Sequence, residues 1–133
     1  MTNLIFILGA PRSGTTLLQK ILNQHSEIYG GPEFDHLTKI LNLYKVLSQS
    51  IELGRQEAFY DEESLKQSFR DFIRDLLGQT KQTLYISEKT PSNSLITKEI
   101  REIFPNSRFI IIFRNPKAIL SSYKDVGLSL IHI

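Results

Sequence analysis

The chain has 133 residues, of which 41% are hydrophobic and 23% charged, with a formal net charge of +2 and no cysteine. That length makes one domain with a core of its own, and the missing cysteines exclude disulfides and thiolate metal sites. The basic residues are scattered, against a nucleic-acid face; His25, His36 and His132 lack the helical pairing of a zinc site; and no apolar run approaches a membrane span.

In chain order, the apolar residues 4–8 read as a buried strand. Gly-Ala-Pro-Arg-Ser-Gly-Thr-Thr follows at 9–16, and a helical pattern with Leu17, Leu18, Ile21 and Leu22 then runs to about residue 24. A turn from a buried strand into a helix N-terminus is an anion site. The first backbone N–H groups have no internal acceptors there, and the helix dipole favours negative charge. Gly9 and Gly14 have the spacing of a P-loop, G-x-x-x-x-G-K-[ST], but Thr15 stands where that loop has lysine. The loop's own cation is Arg12. The phosphate cradle is present and the ATP-specific charge is absent. The two glycines allow tight turning and close backbone approach to an anion. Ser13, Thr15 and Thr16 add three hydroxyl donors, where helix capping alone would explain one.

A loop with Gly30, Gly31 and Pro32 leads to a second helical stretch, about 33–52, with Leu37, Ile40, Leu41, Tyr44 and Leu47 at helical spacing and Gly54 closing it. Asp61 is a candidate N-cap for a third helix to about residue 77. That helix would set Leu65, Phe69, Phe72, Ile73, Leu76 and Leu77 on one face, with Gly78 at its end. A short strand is expected over 83–87. A helix over 94–104 turns Ile96, Ile100, Ile103 and Phe104 inward, with Pro105 as its stop. The apolar run at 108–113 suits a parallel strand covered on both faces, and a last helix starts near Pro116. Strands alternating with helices imply an α/β fold with a parallel sheet and helices on its faces. Ligands bind such sheets beyond the carboxyl ends of strands, where Gly9, Glu88 and Arg114 each open a motif.

Three of these segments resemble one family. Ala10-Pro11-Arg12-Ser13-Gly14-Thr15-Thr16-Leu17 resembles the 5′-phosphosulfate-binding loop of sulfotransferases, which use 3′-phosphoadenosine 5′-phosphosulfate (PAPS). The run Phe109-Ile110-Ile111-Ile112-Phe113-Arg114-Asn115-Pro116-Lys117, followed by Ser122, resembles the family's 3′-phosphate motif. Glu88-Lys89-Thr90-Pro91 resembles a strand-end segment of the tyrosine- and carbohydrate-sulfotransferase branch, in its bacterial type. The resemblance spans about residues 4–124. It implies a P-loop NTPase-like three-layer sandwich and sulfuryl transfer from PAPS to an acceptor hydroxyl (of tyrosine, a carbohydrate or a small molecule), without a metal. Family domains are considerably longer. The expectation is therefore a domain over 1–127 that is incomplete at the C-terminus, an apolar and non-native tail over 128–133, and a fragment inactive by itself.

On the same resemblance, Gly9, Pro11, Arg12, Ser13, Gly14, Thr15 and Thr16 hold the 5′-phosphosulfate, while Arg114 and Ser122 hold the 3′-phosphate. Arg12 and Lys89 balance developing charge, and Glu33 is the general base if burial raises its pKa. Each residue also has a plainer account. Arg12 and Lys89 are ordinary solvated cations, Glu33 is an acid stabilising a helix N-terminus, and Ser121 competes with Ser122. Asp35 and His36 are further candidates beside Glu33, and Glu88 reads as structural, pairing with a nearby cation. Arg114 after an apolar strand is costly unless partnered. A further arginine found in some members twelve residues on is Val126 here, leaving Lys117 or Lys124 to substitute.

Two other readings stay open. One is a nucleotide or metabolite kinase with a degenerate P-loop, against which stand the missing lysine and the lack of a strand-end aspartate for magnesium. The other is a non-catalytic remnant. The first strand begins close to Met1, so no leader or anchor is expected and the expected location is cytoplasmic. PAPS and a hydroxyl acceptor are the expected partners, with no nucleic acid and no membrane. Neither the acceptor nor the oligomeric state is legible.

Overall fold

Asn3–Leu8 (β1) carries no charge and no glycine or proline, and a strand so composed is stable only when covered on both faces. It occupies an inner position in a four-stranded parallel sheet. The order is Ile28–Gly30 (β2), Tyr85–Lys89 (β3), β1, then Arg108–Ile111 (β4). The computed structural model describes residues 3–78 and 82–125. The expected domain limit at residue 127, the tail over 128–133 and Val126 lie outside the described residues. The register pairs Phe6 with Glu88 and Ile7 with Lys89 on one side of β1, and Leu8 with Ile111 on the other.

Helices cover both faces. Thr15–Leu22 (α1) lies against the face that carries Ser87, to which Gln19 Nε2 donates at 3.3 Å (Oγ) and 3.1 Å (carbonyl). The opposite face carries Leu4, Phe6, Leu8 and Ile86. It is buried by Leu37–Glu52 (α2), Glu62–Gly78 (α3), the 3₁₀ turn Pro91–Ile96 and Thr97–Ile103 (α4). Leu37, Leu41 and Tyr44 on α2, Leu65, Phe69 and Ile73 on α3, and Ile96, Ile100, Ile103 and Phe104 around α4 complete this core. Phe6 is fully buried and meets the rings of Phe104 at 6.2 Å and Phe109 at 5.6 Å between centroids. Tyr44 brings a hydroxyl into this core, 3.0 Å from Glu62 and 3.1 Å from Glu102. Burial and the two carboxylates push that phenol well above its ordinary pKa. Pro116–Asp125 (α5) follows β4.

The structure departs from the sequence reading in several places. β2 lies where a loop is expected; three residues that run into the Gly-Gly-Pro turn are too short for periodicity to register. β3 runs over 85–89, so Glu88 and Lys89 lie inside the strand. Pairing with Phe6 and Ile7 overrides their poor strand propensity. α2 starts at Leu37, with Glu33 in the loop before it. Pro91 opens a separate 3₁₀ turn, and α4 begins only at Thr97. On α3, Phe72 and Leu76 are exposed, and on α1 so are Leu17 and Ile21, because α1 packs through Thr15 and Gln19. β4 ends at Ile111 and sits at the sheet edge, not covered on both faces: Ile111 is exposed and Phe113 is 89% exposed. Asp61 caps α3 as expected, accepting from Ser64 N–H at 2.7 Å.

Phe6→Ala should therefore cost about 3–5 kcal/mol, the range for a fully buried aromatic. Phe113→Ala should change stability by no more than about 0.5 kcal/mol. Urea unfolding of both variants checks the contrast.

Candidate active site

β1 ends at Leu8 and α1 begins at Thr15, so six residues must reverse the chain. Two of them adopt left-handed backbone, Arg12 with φ 65° and Gly14 with φ 99°. Gly14 tolerates this without cost; Arg12 is the single non-glycine residue with positive φ among those described, held against its preference. Such alternation is how backbone amides are brought to converge on an anion, and no side chain caps the start of α1. Gly9 is needed for a different reason. A Cβ there would lie 2.7 Å from Ser13 Oγ and 3.0 Å from Thr15 Cγ2.

The loop forms one wall of a cleft of about 360 Å³ lined by Pro11, Arg12, Gly14, Thr15, Thr16, Glu33, Lys89, Arg114 and Ser122. Four chain segments thus converge beyond the carboxyl ends of β1, β3 and β4. Arg12 Nε donates to Ser122 Oγ at 2.7 Å. Arg114 Nη1 donates to the Arg12 carbonyl at 2.7 Å, so the loop and the segment after β4 are directly tied. Lys89 Nζ meets Glu33 Oε1 at 2.5 Å, with the lysine side chain 9% and the glutamate 45% exposed. Three cations face one carboxylate. Among the described residues neither Arg12 nor Arg114 has a carboxylate partner, which leaves both guanidinium groups available to an anionic ligand.

Other expected residues fall elsewhere. Gly9 and Ser13 belong to the loop but do not line the cleft, and among the described residues Ser13 Oγ is buried without a partner. Glu33 is exposed, so the burial invoked to tune it as a base is absent, and so is a place in the first turn of α2. Asp35 and His36 pair with each other at 3.5 Å away from the cleft. Ser121, Lys117 and Lys124 are also outside it.

Among the described residues Glu88 pairs with no cation. Its carboxylate, in a residue 3% exposed, accepts from Phe34 N–H at 2.8 Å, from Thr90 Oγ1 at 2.7 Å and from Asn93 Nδ2. Burial pushes its pKa above the ordinary 4.5, and these hydrogen bonds oppose the shift. Sequence reasoning placed Glu88 but missed Asn93. The available signal was an acid on the same face of β3 as Ile86, a position that must bring its own donors.

A sequence profile describing the Sulfotransferase family matches residues 4–129. The chain belongs to the sulfotransferase family. It is 31% identical over 121 residues to protein-tyrosine sulfotransferase A of Caenorhabditis elegans, an alignment covering 89% of this chain and 32% of the relative. Over 122 residues it is 30% identical to protein-tyrosine sulfotransferase 1 of Homo sapiens, covering 90% and 33%. An uncharacterized protein of Aquifex aeolicus is 34% identical over 118 residues, covering 84% of this chain and 15% of that protein. The chain spans about a third of the length of the tyrosine sulfotransferases just named. Among the described residues no helix is long and apolar enough to cross a membrane.

The raised Glu88 pKa makes stability pH-dependent. Between 4.5 and the higher folded value, the folded state binds more protons than the unfolded one, so stability falls as pH rises through that window. The unfolding free energy of the parent relative to Glu88→Gln should decline as pH climbs from below 4.5. A difference that stays flat in urea titrations across that range contradicts the shift.

Proposed function

We propose that this protein transfers the sulfuryl group of PAPS to an acceptor hydroxyl, with the cleft as the donor site. One observation supports the reading above the rest. Arg12, Lys89 and Arg114 come from three sequence-distant motifs of a sulfotransferase-family chain, and they line one cleft with Glu33 and Ser122. The residues present suit a ligand with anionic groups at two ends. The loop from Pro11 to Thr16 and the start of α1 would hold the 5′-phosphosulfate, and Arg114 and Ser122 the 3′-phosphate.

When bound, PAPS supplies an activated sulfuryl group and a stable leaving group, adenosine 3′,5′-bisphosphate. The chain's own part is positioning and charge. Glu33, on the cleft wall against Lys89, accepts the acceptor's hydroxyl proton at an Oε atom; its place beside the donor loop supports this role, in place of the burial expected from the sequence. Lys89, already against that carboxylate, balances negative charge developing on the leaving phosphate, with Arg12 as the second cation. The relatives named as tyrosine sulfotransferases favour a tyrosine hydroxyl as acceptor over a carbohydrate or small-molecule hydroxyl.

The test separates binding from chemistry. Adenosine 3′,5′-bisphosphate should bind this chain and resist displacement by ATP–magnesium, whereas a degenerate kinase would reverse that order. Arg114→Ala should weaken the bisphosphate by about 1.5–3 kcal/mol, the worth of a charge-assisted contact. Glu33→Gln in the active protein should leave that affinity alone and lower the single-turnover rate by about 10²–10⁴-fold. Turnover at the parent rate would remove Glu33 from the mechanism.

A further inference from the structure

We infer that Glu88 is a positioning residue, a buried strut that fixes the main chain carrying Glu33 so that Lys89 and Glu33 meet in the cleft. The inference rests on the proposed role of Glu33 for its catalytic consequence, but the strut itself stands on geometry. Adjacent strand residues point to opposite faces, and Glu88 and Lys89 use both faces to grip two adjacent residues of one loop. Lys89 Nζ takes the Glu33 side chain at 2.5 Å, and Glu88 Oε1 takes the Phe34 backbone N–H at 2.8 Å. Thr90 Oγ1 and Asn93 Nδ2 hold the Glu88 carboxylate from below.

Among the described residues little else secures that loop. Between Gly31 and the start of α2, Leu37 N–H reaches the Phe34 carbonyl only at 3.5 Å, and the Phe34 ring rests partly on the core and edge-on to exposed His36. A carboxylate 3% exposed, with no cation beside it among the described residues, is an expensive way to fill space. An apolar side chain would pack there at lower cost, but it offers no acceptor for Phe34 N–H. What the site needs is an oxygen at that point, not a charge. Among the described residues Asn93 Oδ1 is buried without a partner, so a neutral amide at position 88 has an acceptor waiting once the Asn93 amide turns.

Three substitutions separate strut from charge. Glu88→Gln keeps the oxygen and drops the charge; Glu88→Asp keeps the charge and withdraws it by one methylene; Glu88→Ala removes both. Amide hydrogen exchange at Phe34 in this chain should stay slow in the parent and Glu88→Gln. In Glu88→Asp it should speed up on the order of tenfold, the weight of one hydrogen bond. Affinity for adenosine 3′,5′-bisphosphate should not move in either. In the active protein, Glu88→Asp should lower kcat about 10²-fold, the cost of a misplacement near 1 Å, with Glu88→Gln close to the parent. Combining Glu88→Asp with Glu33→Gln should be no slower than Glu33→Gln alone. Equal protection of Phe34 in Glu88→Asp and Glu88→Gln overturns the strut, as does Glu88→Asp outperforming Glu88→Gln. If the exchange ranking holds while Glu33→Gln turns over normally, the base assignment has failed and the strut has not. Should Glu88→Ala fail to fold, the Gln and Asp pair still decides.

Discussion

The register between β1 and β3 is the constraint on which the cleft depends. With Phe6 opposite Glu88 and Ile7 opposite Lys89, the lysine emerges at the strand end facing the loop after β1, and the glutamate enters the helical layer. A slip of one residue would exchange their faces, turning the ammonium into the apolar helical layer and the carboxylate toward the cleft. What opposes the slip lies on β3, because β1 is apolar and buried at every position from Leu4 to Leu8. Ser87 and Lys89 meet Gln19 and Glu33 on one face, while Ile86 and Glu88 meet the core and Phe34 N–H on the other. The partners of β3 on its two faces therefore set the electrostatics at the rim.

Arg12 is where the cleft's parts are fastened together. Its side chain holds Ser122 on α5 and its carbonyl receives Arg114, so one residue of the first loop is tied to two points late in the chain. These bonds help explain how a non-glycine residue stays at φ 65°. They also explain why motifs about a hundred residues apart in sequence form one wall (the bonds span 110 and 102 positions). Two of the cleft's cations are thereby oriented before any ligand arrives, with no carboxylate neutralising either among the described residues.

The parallel sheet, both-face coverage and the rim site were legible because they follow from strong signals: apolar strands, glycine-bracketed loops and strand-end charges. The residues lining the cleft were legible through motif resemblance and not through periodicity, which would have left Lys89 in solvent. What escaped was set by tertiary pairing. β2 has three residues and no pattern; β3 includes two charges because its neighbour pairs them; β4 reads as a central strand but lies at the edge. Leu17 and Ile21 on α1 face outward while Gln19 turns inward to Ser87, and a polar contact of that kind has no sequence period. Glu88 was visible as a residue, but its partner is a backbone N–H, which no side-chain pattern reports.

The placement of β4 has a consequence for how this polypeptide behaves in bulk. Among the described residues β4 pairs only with β1, so its outer rail of N–H and C=O groups is open, beside exposed Ile111 and Phe113. An open parallel edge with apolar neighbours is a template for the strand of another molecule. Arg108, at the first position of β4, is the only charge on that strand. A four-residue rail of this kind favours strand pairing between molecules at high concentration, a handling property quite separate from the thermodynamic robustness of the core.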